Sequence, residues 1–204
     1  MFLMPMSAIG FGAHYGVTGY TIENAIRLND DDSAHMSQTF GAGNDELFTF
    51  STWWKPGNIV DVTFLNAEVD TNNRWRFDTA SSGKLQIYAK VSSSVVCNLS
   101  TDSLLRDPTA WYHIHLIWDL SQSAGSRAKF WVNGTLQTTT VTVEPSNSTT
   151  YNINTAIEHE IGAREGTSIF MDGYLAETHF IDSASVAATE FGEYDDAGGW
   201  IPKE

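Results

Sequence analysis

What most constrains this chain is a strict alternation of large apolar and polar residues over short runs, each cut by a turn signal. Residues 47–54 read LFTFSTWW, with Phe48, Phe50, Thr52 and Trp54 on one side and Leu47, Thr49, Ser51 and Trp53 on the other, until Pro56-Gly57 stops the run. Residues 73–78 set Trp75 and Phe77 against Arg74 and Arg76, and residues 84–90 set Leu85, Ile87 and Ala89 against Gln86 and Tyr88. Side chains that alternate with period two share a face only in an extended strand. A strand with one apolar face must bury it against a second layer.

The same pattern recurs over residues 25–28, 34–39, 59–67, 111–119, 127–132, 157–163 and 168–182. Asn133-Gly134 predicts a tight hairpin turn, with residues 136–143 pairing back across it. Only residues 184–194 offer a helical turn. Many short strands with almost no helix predict an all-β fold, an antiparallel two-sheet jelly-roll sandwich. Seven Trp, seven Tyr and eleven Phe supply its core. Trp54, Trp75, Trp118, Phe130, Trp131 and Phe170 are the expected core or inter-sheet contacts.

Charge narrows the partners. Lys+Arg 11 against Asp+Glu 25 gives a net charge of −14. Nucleic acid and anionic lipid repel such a chain, so neither is an expected partner. No stretch approaches the roughly 20 apolar residues that cross a bilayer, so membrane insertion is not expected. The single cysteine, Cys97, excludes an internal disulfide and reads as a small buried hydrophobe. Residues 1–20 are apolar and glycine-rich, with no Lys or Arg before Arg27. We read them as an extended N-terminal arm for attachment or oligomerisation, with Met4, Met6, Ile9, Phe11 and Tyr15 packing on a partner. Residues 21–204 form the jelly-roll domain.

Three segments carry a family resemblance. The first runs from Asp107-Pro-Thr-Ala-Trp111-Tyr-His113 through Trp118-Asp119 to Phe130-Trp131-Val132-Asn133-Gly134. The second is Ile161-Gly162-Ala163, and the third is Phe170-Met-Asp172-Gly173-Tyr-Leu175 through Asp182. In this order they resemble the laminin-G-like, or concanavalin A-like lectin/glucanase, jelly roll. A narrower likeness rests on residues 20–33, residues 173–182 and Gly199-Trp200-Ile-Pro202. These resemble such domains in virion structural proteins of tailed phages. That likeness implies a non-enzymatic capsid decoration or fibre protein on the virion surface. It implies other virion proteins as partners and a homo-oligomeric state. An alternative is a carbohydrate-binding module of a tail fibre or spike that recognises a host surface glycan, with Trp53, Tyr88 and Trp200 as the platform.

The resemblance also raises a rim calcium, with Asp30, Asp31, Asp32 and Asp172, and also Asp119, as ligand candidates. The simpler reading is a solvated acidic turn, because adjacent carboxylates supply only part of a calcium shell. Glucanase chemistry needs an acid and a nucleophile or base about 5–9 Å apart. Glu68-Val-Asp70-Thr-Asn-Asn holds Glu68 and Asp70, but Asn stands where a second Glu is needed, so the chain is read as no enzyme. His113 and His115 share a strand face and could begin a metal site, with Glu158-His159-Glu160 as a further source of ligands. His113 is also where the laminin-G-like pattern has a structural histidine.

Overall fold

The computed structural model describes residues 19–58, 61–80, 82–164 and 169–204. The proposed attachment residues Met4, Met6, Ile9, Phe11 and Tyr15 lie outside the described residues. Among the described residues fifteen strands follow one another: β1 (Ile26–Leu28), β2 (Met36–Thr39), β3 (Leu47–Pro56), β4 (Thr63–Asp70), β5 (Asn73–Thr79), β6 (Leu85–Val91), β7 (Ser94–Thr101), β8 (Tyr112–Asp119), β9 (Ala128–Val132), β10 (Thr135–Leu136), β11 (Thr139–Val143), β12 (Glu158–Ile161), β13 (Gly173–Asp182), β14 (Gly192–Tyr194) and β15 (Trp200–Pro202). They form a six-stranded sheet in the order β1-β13-β3-β8-β9-β10 and a seven-stranded sheet in the order β11-β7-β6-β5-β4-β12-β2. Every pairing in both is antiparallel. The expected two-sheet jelly roll is the architecture observed.

The alternating runs supply the main core. Phe48, Phe50 and Trp54 of β3, Trp118 of β8 and Phe130 of β9 face Trp75 and Phe77 of β5 and Ile87 and Ala89 of β6, all buried. Trp75 meets Phe48 and Trp118 edge-on, at 5.6 and 5.7 Å between ring centres. Such tilted aromatic pairs add specificity to the burial that drives the sheets together. Cys97 lies in this core, and burial pushes its thiol far above the usual range. Trp131 and Phe170 are only half-buried, so they take part at the margin.

Asn133 and Gly134 both have positive φ, +48° and +73°, so the expected hairpin turn is of type I′. The strand after it departs from expectation. β10 pairs with β9, but β11 crosses to the other sheet and pairs with β7. A Thr/Val alternation has the same period beside either neighbour, so it could not name its partner. The helical turn is a short 3-10 turn, Ala188–Glu190.

The chain then folds back over the outside of the six-stranded sheet. Ile22, Trp53, Ala176, Ala188 and Trp200 make a second apolar cluster there, with Ala25, Trp111 and Trp131 packed against it. Trp200 lies between Gly134 and Gly192, and a Cβ on either would overlap its indole. This layer closes the outer face of one sheet.

Candidate functional site

The outer face of the seven-stranded sheet has the opposite character. Register places six side chains in one row across six strands: Ser37, Glu160, Asn66, Arg76, Tyr88 and Asn98. A second row is Glu68, Arg74 and Lys90, and a third includes Asp78, Gln86 and Ser100. These are the residues opposite Trp75, Phe77, Ile87 and Ala89 in the alternation, so the pattern that fills the core also lines this face.

Its charges are matched within the face. Asp78 Oδ2 accepts from Arg164 Nη2 at 2.8 Å and lies 3.5 Å from Arg76 Nε. Arg74 stands 3.9 Å from Glu68. Asn66 Nδ2 donates to Glu160 Oε2 at 2.8 Å, and Gln86 Nε2 donates to Asn98 Oδ1 at 3.1 Å. Burial pushes the Asp78 carboxyl up to about 6, against the opposing pull of the Arg76 and Arg164 cations. The Arg76 and Arg74 guanidinium carbons lie 5.1 and 5.6 Å from the centre of the Tyr88 ring, within cation–π range. Tyr88 is half-buried. The arrangement offers an aromatic ring beside paired donors and acceptors on a sheet face, which is the chemistry of reversible polar recognition.

The other residues singled out from the sequence fall elsewhere. Trp53 and Trp200 are 1% and 6% exposed, inside the second apolar cluster. Their rings cannot stack on a sugar, because Trp53 lies beneath the folded-back C-terminal segment and Trp200 is the indole that segment turns inward. Of the three glycan candidates, only Tyr88 stands on the polar face. Asp30, Asp31 and Asp32 form a 3-10 turn in which Asp30 accepts from the Asp31 amide at 3.0 Å and Asp32 from Asn29 Nδ2 at 2.8 Å. Asp172 is ion-paired to Arg27 at 2.5 Å. Among the described residues no group of three or more His, Cys, Asp or Glu is placed to hold a metal ion. The carboxylates of Asp30, Asp32 and Asp172 serve internal donors, and the four together do not fit a calcium shell.

Glu68 and Asp70 are separated by a bulge in the pairing of β4 with β5. Glu68 turns to Arg74, whereas Asp70 is exposed and accepts from the Asn72 amide at 2.7 Å and from Asn73 Nδ2 at 3.1 Å. Those hydrogen bonds, the Asn72 amide first, hold its carboxyl below the usual range. This is a carboxylate that orders a turn.

His113 and His115 are fully buried under the C-terminal layer. His113 Nε2 and Ser51 Oγ share a hydrogen bond of 2.8 Å, and the His113 ring stacks 5.8 Å from Trp200. His115 packs 5.2 Å from Trp131 and 5.5 Å from Phe191. Burial pulls their imidazoles down to about 3 and about 4. Glu158, His159 and Glu160 lie in the other sheet, so they cannot complete a site with this pair.

Sequence reasoning placed Arg74 and Arg76 outward but did not pick them, nor Asn66, Asp78, Glu160 and Arg164, as site residues. The available signal was the Arg-Trp-Arg-Phe-Asp alternation itself, three charged side chains on the face opposite two large aromatics.

Comparisons with known proteins agree with this architecture. No curated protein matches the chain. Among solved structures it is similar to domain 4 of AbnA, a GH43 extracellular arabinanase from Geobacillus stearothermophilus, in complex with arabinotriose. There the TM-score is 0.56 at 16% identity, over 82% of this chain and 78% of that one. It is also similar to the CBM40 of the Ruminococcus gnavus IT-sialidase bound to α2,3-sialyllactose, with a TM-score of 0.53 at 14% identity, over 76% and 92%. At such identities the likeness is one of fold. Residues 25–189 match the Laminin_G_3 family model, and with that match the chain belongs to the concanavalin A-like lectin/glucanases superfamily.

Proposed function

We propose that this protein is a non-enzymatic, glycan-binding module displayed on a tailed-phage particle, and that the outer face of the seven-stranded sheet is its binding face. The observation that carries the binding reading is the contrast in how the two sheets are finished. One outer face is closed by an apolar layer, and the other presents Tyr88 among Arg74, Arg76, Asn66 and Glu160. Sugars are bound through aromatic rings and planar polar side chains, and this face holds both. The arabinanase domain with arabinotriose and the CBM40 with sialyllactose are folds of the same kind that carry a glycan.

Support for the display reading comes from the narrower sequence likeness. Its three segments, residues 20–33, 173–182 and 199–202, are neighbours in space. β1 pairs with β13, Tyr20 donates to Glu177 at 3.1 Å, and Ile22, Ala176 and Trp200 share the second apolar cluster. The segments that carry the sequence likeness are thus packed side by side.

A glycan array probed with the whole chain tests the binding reading, with Tyr88→Ala as the paired variant. Binding that weakens at least tenfold in the variant is the expected result. No binding at millimolar ligand would sink it. Deleting residues 1–20 and measuring incorporation into particles tests the display reading; unchanged incorporation would remove the arm's attachment role.

A further inference from the structure

Among the described residues the two large sheets end in four edge strands, β1 and β10 on one, β11 and β2 on the other. A free edge presents unpaired N–H and C=O groups and invites a further strand unless charge, proline or shortness blunts it. β1 has three residues and holds Arg27, which is ion-paired to Asp172; β10 has two residues. β2 has four and follows the acidic Asp30–Asp32 turn. β11 is the longest, all five of its residues are β-branched, and residues 130–143 contain no charged side chain. Val141 on it is 41% exposed. Leu104, in the loop that the Asp102 amide ties to the Thr138 carbonyl, is 43% exposed.

The pairing with β7 fixes which backbone groups point outward. The Asp102 amide donates to the Thr138 carbonyl at 3.0 Å, so Thr138 and, two residues on, Thr140 turn their backbone groups toward β7. Thr139 and Val141 alternate with them and turn theirs to the free edge. We propose that a second copy of this chain pairs antiparallel with this edge, about a two-fold axis at Thr140, and joins two seven-stranded sheets into one. In that register Thr139 of each copy exchanges both backbone hydrogen bonds with Val141 of the other, and Thr140 stands opposite its own copy.

The occupant is a second copy because this edge is its own complement. Outward groups on two residues spaced two apart satisfy the same two residues of a copy turned through a half-circle. Charge agrees with that choice. Two chains of net charge −14 repel, and an uncharged edge is where they approach at least cost. Asp102 continues the line of β7, and its carboxylate accepts from Thr140 Oγ1 at 2.7 Å, on the side of β11 away from the edge. Across the axis the two Asp102 residues are three strand spacings apart, roughly 14 Å, beyond the screening length of about 8 Å. Glu144, just past β11, is held by the Gly125 amide at 2.7 Å. A bulge between Val141 and Val143 ends the regular stretch, and β2 at the far edge is unlike β11, so the pairing closes at two copies.

Sedimentation of the whole chain at rising concentration tests this, and neither glycan binding nor particle display enters the result. A dimer is expected at micromolar protein. Val141→Lys sets a charge on each side of the axis and is expected to weaken the dimer at least tenfold, with the fold retained by circular dichroism. A wild type that stays monomeric at hundreds of micromolar overturns the proposal and leaves the edge to a strand of another protein. A folded Val141→Lys that dimerises as the wild type does overturns it too. Should that variant not fold, cysteine pairing reads the same geometry. Residues facing each other in a non-hydrogen-bonded pair have Cα atoms about 4.5 Å apart, within reach of a disulfide. Thr140 is exposed, and the native Cys97 is buried and does not compete. With copper–phenanthroline as the oxidant, Thr140→Cys is expected to give a disulfide-linked dimer. Val69→Cys, at a 59% exposed position on β4, is expected to stay unlinked. No linked dimer from Thr140→Cys, or as much from Val69→Cys, overturns the proposal.

Discussion

On the outside of the six-stranded sheet, His113 and His115 lie under Trp200, Trp131 and Phe191; on the outside of the seven-stranded sheet, Arg74 and Arg76 lean over Tyr88. Both faces arise from the same inside–outside alternation. They differ because the chain returns over one of them after β13 and lays down β14 and β15. The covered face converts polar side chains into structure. Its imidazoles lose their charge to burial, and Ser51 finds its partner in His113. The other face keeps its charges and pairs them, Arg74 with Glu68 across β5 and β4, and Asp78 with Arg76 on its own strand and Arg164 beyond it. A covered face answers to stability, and the charged face is the one left open for the proposed ligand.

The largest effect expected from breaking this division is on the cover itself. Trp200→Ala removes a 6% exposed indole held between two glycines. It should lower unfolding free energy by about 3–5 kcal/mol, the usual range for an aromatic truncated to alanine. In denaturant melts with proton NMR, the His113 resonance should then titrate nearer its ordinary 6.5. Glycan affinity of the folded fraction should stay unchanged. A loss below about 1 kcal/mol would mean that the C-terminal layer is not a core.

Acid should separate the two faces next. His113 and His115 are held neutral at values far below 6.5, so the stability they contribute is present above pH 6.5 and drains as pH falls toward 4. At pH 5 the loss is at most about 2 kcal/mol for each imidazole. Asp78 runs the other way. Its carboxyl is raised to about 6 from 3.8, so its contribution is fully present below pH 3.8 and is lost as pH rises through 6. Over pH 6 to 5 it returns about 1 kcal/mol. Urea melts between pH 7 and pH 5 should show a net decline in the wild type. The decline should be shallower in His113→Gln and steeper in Asp78→Asn. Equal slopes in all three would break the assignment. The carboxylates held low by hydrogen bonds, such as Asp102, Asp107 and Asp182, titrate below this window.

How far the sequence reached follows the same division. The alternation located the core because Phe48, Phe50, Trp75, Phe77, Ile87 and Ala89 are buried by strand geometry alone. Asn133-Gly134 located its turn because a type I′ turn needs positive φ at both positions. Trp53 and Trp200 were misjudged as a surface platform because period two assigns a side, not a cover. The cover comes from a segment more than a hundred residues away from Trp53. Residues 136–143 were misjudged because strand partners are chosen by long-range packing. Arg76 reads as outward, but its partner Asp78, also on β5, is shared with Arg164, a residue outside that strand.

On the charged face a smaller effect is expected, in binding more than in stability. Tyr88→Ala deletes a half-buried ring flanked by two guanidinium groups. The unfolding free energy should move by no more than about 1 kcal/mol, as for a surface position with modest packing. The affinity for whatever glycan the array returns should fall at least tenfold, read by calorimetry. Loss of binding after Trp53→Phe with Tyr88→Ala inert would move the site to the covered face.

The smallest effect concerns Asp70. It is exposed, ends β4 and is satisfied by Asn72 and Asn73. Its low carboxyl value comes from those hydrogen bonds, so it is ionised at neutral pH and has no proton to deliver to a leaving group. Glu68, its would-be partner, faces Arg74 across a bulge. Asp70→Asn should therefore leave glycan affinity unchanged and the thermal midpoint unmoved. On β-glucans, wild type and variant should show the same absence of hydrolysis. Hydrolysis by the wild type that disappears in Asp70→Asn would make the charged face a reactive cleft, and the separation between a structural face and a recognition face would have to be redrawn around catalysis.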